Sequence, residues 1–105
     1  MEQIIKKKIA RNWFKTLQEV LCKEIEDLEG SKNLFRYKNW ERGEKSSEGG
    51  GQFRIHKNGK IFDKVGVNFS EVYGKFSKKF RNKIPGTNKN SNFWASGISV
   101  VMHMK

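Results

Sequence analysis

A chain of 105 residues is long enough for one domain with a modest core, and at 35% hydrophobic and 31% charged residues it stands near the border of disorder. The 12% of aromatic residues tip it toward a folded domain, because aromatic side chains bury large areas. Its 22 Lys and Arg against 11 Asp and Glu give a formal charge of +11, which fits either a polyanionic partner or lysine spread over solvated positions. No apolar run approaches the roughly 18 residues of a membrane span, and no leader-like apolar stretch follows the basic N-terminus, so the expected location is cytoplasmic.

Residues 2 to 29 carry a helical pattern. Ile5, Ile9, Trp13, Leu17, Leu21, Ile25 and Leu28 recur at steps of four and three, the period of one helix face, and Ile4, Phe14 and Val20 widen the stripe. That stripe is expected to pack on a sheet. Glu24, Glu26, Asp27 and Glu29 lie at the end where the helix dipole disfavours acids, and Gly30 supplies a stop. The lone cysteine, Cys22, has no partner for a disulfide or a Cys-x-x-Cys site and reads as a small core residue.

Residues 31 to 42 contain Leu34, Phe35, Tyr37 and Trp40 without a clear period. Gly43 to Gly51 is rich in breakers and reads as a loop; no Gly-Lys-Ser/Thr follows, so it is not a phosphate loop. Residues 52 to 56 alternate apolar and polar as a half-buried strand does, and Asn58-Gly59 predicts a two-residue hairpin turn with positive φ at both positions. His56, beside that turn, reads as solvated. The return strand runs over residues 61 to 73, with Gly66 marking a bulge or a close backbone approach.

Residues 75 to 92 are basic and turn-rich, with one helical turn allowed between Phe76 and Phe80 before Pro85. Residues 93 to 104 are apolar and β-branched and read as a central strand. Ser99 and His103 share one face of it, about 13 Å apart at 3.3 Å per residue. They are too far apart to form a nucleophile–base pair, and one histidine cannot complete a metal sphere. A chain that ends on such a strand is expected to be the first part of a larger domain.

Trp40-Glu41-Arg42, Gly49-Gly50-Gly51, the run from Asn58 through Gly66-Val67-Asn68-Phe69-Ser70, and Gly97-Ile98-Ser99-Val100-Val101-Met102-His103 follow one another in a characteristic order. In order and spacing they resemble the N-terminal part of the oxygen-dependent coproporphyrinogen III oxidases, along nearly the whole chain. The resemblance implies an α+β fold, with the long N-terminal helix on part of a broad antiparallel sheet flanked by helices. It implies a cytoplasmic homodimer of haem biosynthesis that uses dioxygen to decarboxylate two propionates of coproporphyrinogen III to vinyls. It further implies that Ser99 binds substrate and that His103 is a ligand to a divalent metal ion.

In the family a turn, a proton-donating histidine and an Asn-x-Arg group follow the position of His103, as do the remaining metal ligands and the dimer-forming region. Residues 1 to 105 are therefore expected to be a truncated N-terminal part, inactive alone. Two other readings compete. One is a basic module for single-stranded nucleic acid, with Phe53, Phe62, Phe69 and Trp94 as stacking platforms. The other is an interaction protein that pairs its last strand with another chain.

Overall fold

The structure, a computed structural model, describes residues 2–44, 47–75 and 92–105. One helix, α1 (Gln3–Glu29), precedes four strands: β1 (Arg36–Glu41), β2 (Gly49–Lys57), β3 (Phe62–Lys75) and β4 (Asn92–Met104). They form an antiparallel sheet in the order β1-β2-β3-β4. The α+β class and the long N-terminal helix expected from the sequence are both present. The expected helical turn around Phe76 and Phe80 lies outside the described residues.

The helix lies across β3 and β4, and it buries only part of the stripe its apolar residues define: Ile25 is in the core and Leu21 packs against it. Ile5, Ile9, Trp13, Val20 and Leu28 are 46 to 61% exposed. Beside Ile25, the buried positions of the helix are Gln18, Cys22 and Glu29, none of them in that stripe. The helix is rotated because two polar side chains on this face are bonded to the sheet. Gln18 Nε2 donates to the carbonyls of Gln52 (2.8 Å) and Val67 (3.1 Å). Between the two anchors, Cys22 and Ile25 pack with Phe35, Phe62, Val65 and Val67, the last two fully buried. A valine so placed contributes roughly 1.5–3 kcal/mol. Burial pushes the Cys22 thiol up from 9.0 to about 11 despite the nearby Arg54, so it stays a protonated core residue.

Glu29 is the second anchor. Its Oε2 accepts from His56 Nε2 at 2.8 Å and from the Lys60 amide at 2.9 Å, and its Oε1 accepts from the Ile61 amide at 2.6 Å. His56 is thus buried rather than solvated, tilted against Phe35 with ring centroids 5.8 Å apart. The hairpin also departs from the two-residue turn. Residues 58 to 61 all lie outside the strands, and only Asn58, at φ 58°, takes the left-handed conformation. Gly59 is required for space, since a Cβ there would collide with the Glu29 carboxylate.

At the helix end the expected stop holds. Gly30, at φ 77°, donates to the carbonyls of Glu26 and Asp27. Residues 36 to 41, without a clear period in the sequence, form β1. Gly49 to Gly51 open β2 instead of lying in a loop, and the irregularity in β3 falls at Asp63, between Phe62 and Lys64, not at Gly66. The apolar β4 lies at the edge of the described sheet rather than at its centre.

Two outcomes follow. The Glu29 carboxyl is held below its ordinary 4.5, chiefly by the His56 hydrogen bond and then by the three amides of residues 60 to 62, against the opposing effect of burial. A lowered folded value gives stability that is present above about pH 4.5 and lost as pH falls through the folded value. Glu29→Gln should lower the thermal midpoint by several degrees at neutral pH and flatten the midpoint-against-pH curve at the acid end. Separately, the outer edge of β4 has no strand partner among the described residues, and Val100, Val101, Met102 and Met104 are 36 to 66% exposed. Such an edge pairs with other chains, while the charge of +11 opposes association until salt screens it. Light scattering over a salt series should report association that rises with salt and that Val101→Lys suppresses.

Candidate functional site

Because α1 covers the face that carries Val65, Val67 and Phe69, alternation along the strands assigns every other side chain to the opposite face. No described element covers that face. Both site residues expected from the sequence lie there: Ser99 and His103 are exposed on β4, on the same side as the exposed Phe53 and Val101.

The strand register arranges this face in rows. At the turn end, Lys57, Lys64 and His103 lie side by side. The next row is Arg36, Ile55, Gly66 and Val101. The third is Lys38, Phe53, Asn68 and Ser99, and the fourth is Trp40, Gly51, Ser70 and Gly97. Four cations therefore border two adjacent sides of an otherwise neutral floor. Beyond the fourth row Arg42 lies over the ring of Phe93 at 5.4 Å, and its Nη1 is buried without a hydrogen-bond partner among the described residues.

Glycines give the floor its shape. A Cβ added at Gly66 or Gly97 would meet nothing within 4 Å, so the surface at those two positions is open. Gly51 has the opposite role. Its missing side chain leaves room for the indole of Trp40, which would lie 2.7 Å from a Cβ there. Lying over Gly51, Trp40 reaches past β2 and donates its Nε1–H to Asn68 Oδ1 on β3 at 3.0 Å. Its ring also tilts against Phe53, with centroids 6.4 Å apart.

The sequence reading found Ser99 and His103 but did not single out Asn68 or Trp40 as site residues. The signal available was the even spacing of Asn68 from the glycine at 66, but the register that sets it opposite Ser99 is not visible in one strand. His103 has Lys64 as its cross-strand neighbour, and no group of three His, Cys, Asp or Glu side chains able to hold a metal exists among the described residues. Nor do the four aromatics considered as stacking platforms share a face. Phe62 and Phe69 are buried beneath α1, Trp94 lies on that same side with its Nε1 donating to Glu71, and only Phe53 is on the open face. A continuous stacking surface for bases is therefore absent among the described residues.

Gly51→Ala tests the seat of the indole. The added methyl meets the Phe69 carbonyl as well as the ring, and overpacking of this kind costs about 1–3 kcal/mol. Denaturant unfolding should register that loss, and near-UV circular dichroism should lose the contribution of an immobilised indole.

Comparison with known proteins bears on the same surface. A sequence model of the family described as coproporphyrinogen III oxidase matches residues 9–105. The oxygen-dependent coproporphyrinogen-III oxidase of Rickettsia felis is 43% identical over 111 aligned residues, covering 98% of this chain and 38% of that protein. The proteins of the same name from Rickettsia africae and Rickettsia bellii are 43% and 41% identical, each covering 94% of this chain and 37% of the relative. The chain thus spans less than two fifths of the length of the curated relatives it matches.

Proposed function

The chain belongs to the coproporphyrinogen III oxidase family, and on that premise we propose that its open sheet face is one wall of the substrate site of an oxygen-dependent oxidase. The observation that carries the reading is the face itself: Ser99 stands opposite Asn68 on a floor left low by Gly66 and Gly97 and bordered by Arg36, Lys38, Lys57 and Lys64. A tetrapyrrole bearing several propionates has an apolar body and anionic rim, and cations at the border of a low floor complement both. Ser99 binds the substrate. Dioxygen is the co-substrate, as for the oxygen-dependent relatives.

His103 is the one candidate metal ligand here. The described residues offer it no companions and set Lys64 beside it, so they do not by themselves fit a divalent ion. Ligands from beyond these residues would be needed, and no step of the reaction is assigned to a metal. Residues 1–105 represent the N-terminal part of a single larger domain, acting in the cytoplasm as part of a homodimer. The proton donor and the carboxylate-holding Asn-x-Arg belong to the part of the family that follows His103.

This reading separates binding from turnover. The chain should bind coproporphyrin III, the stable oxidised form of the macrocycle, with an affinity that falls as salt rises, followed by the Soret band. Given coproporphyrinogen III and dioxygen it should form no protoporphyrin. Turnover by this chain alone would refute the assignment of the missing groups, and absence of any saturable binding would refute the assignment of the face.

A further inference from the structure

The bond from Trp40 to Asn68 settles which way the Asn68 amide points. An indole N–H only donates, so the atom that receives it is Oδ1, and Nδ2 is left at the other end of the amide. Nδ2 has no hydrogen-bond partner among the described residues, and neither has the Ser99 hydroxyl. Asn68 and Ser99 are direct cross-strand partners. Side chains so paired have Cβ atoms about 4.5–5.5 Å apart, close enough to grip one group between them. The openness at Gly66 and Gly97, in the rows on either side, gives a ligand access to that point.

We infer that Asn68 is a second substrate-binding residue, which joins Ser99 to hold one propionate carboxylate, and that Trp40 is a positioning residue that fixes the amide with its donor end outward. The inference rests on the reading of this face as the substrate wall. The chemistry selects a carboxylate. With Oδ1 occupied, Asn68 offers only N–H donors, and Ser99 adds an O–H donor. The pyrrole nitrogens of a porphyrinogen are themselves N–H donors, so the acceptors such a substrate presents are its carboxylate oxygens. Gly51 belongs to the same device, because its lack of a side chain lets the indole reach Asn68.

The discriminating substitution is Asn68→Asp. It keeps an oxygen to accept from Trp40 and nearly the same shape, but it replaces the outward donor with a charged acceptor. The probes are coproporphyrin III and its tetramethyl ester, titrated against the unaltered chain and the variants Asn68→Asp, Asn68→Ala, Trp40→Phe and, as a control on the far side of the molecule, Trp13→Phe. A lost hydrogen bond to a charged group predicts weakening of tetra-acid binding by about tenfold or more for Asn68→Asp and Asn68→Ala. The aspartate should bind the tetra-acid more weakly than the alanine does, while the two bind the ester alike. Trp40→Phe should weaken tetra-acid binding severalfold with no such charge signature, and Trp13→Phe should leave it unchanged. Unaltered tetra-acid affinity in both Asn68 variants would overturn the role of Asn68 and leave the substrate wall standing. Equal loss of acid and ester binding in Asn68→Asp would reduce Asn68 to a structural part. No binding of either probe by the unaltered chain would overturn both readings.

Discussion

Glu29 stands where electrostatics least favours an acid, in the last turn of a helix whose dipole is negative there. Its carboxylate is compensated by three main-chain amides and an imidazole, all from the β2–β3 hairpin. The consequence reaches beyond local stability. A helix held at one end by Glu29 and nearer its middle by Gln18 has little freedom to roll, so the face it presents to the sheet is set by hydrogen bonds as much as by apolar content. The residues brought inward between the anchors, Cys22 and Ile25, are only moderately large. The sheet meets them with Phe62, Val65 and Val67.

That choice of face organises the rest of the chain. With α1 on one side, the alternation of β3 and β4 sends Asn68, Ser70, Ser99, Val101 and His103 to the other. The two sides differ in composition accordingly. Beneath the helix lie valines, phenylalanines and satisfied polar anchors, whereas the open side carries glycines, small polar residues and bordering cations. The positive charge, diffuse along the sequence, is concentrated at one corner of this surface by the strand register, which groups Arg36, Lys38, Lys57 and Lys64 from three strands.

The same rotation leaves an apolar band on the outside. Ile5, Ile9, Trp13, Val20 and Leu28 on α1 and Val100, Met102 and Met104 on β4 are exposed. A monomeric domain of this size rarely leaves so many large apolar side chains on its surface. Relatives more than twice as long as this chain have further polypeptide available to cover such surfaces.

The sequence by itself determined the elements that local rules control. The 3.6-residue period and Gly30 delimited α1 to within a residue at its start, and alternation with β-branched residues located β3 and β4. The order of small motifs, ending in Ser99 and His103, identified the family, because recurrence of residues at fixed spacing survives without any knowledge of contacts. Tertiary structure alone decided which face of α1 is buried, since Gln18 and Glu29 count as polar in any pattern and become interior only when main-chain partners 30 or so residues away are brought to them. It decided that His56 is buried and that Gly59 serves a carboxylate rather than a backbone angle. It also decided that Trp40, Asn68 and Ser99, from three different strands, meet on one surface, because register is a relation between strands and no single strand contains it.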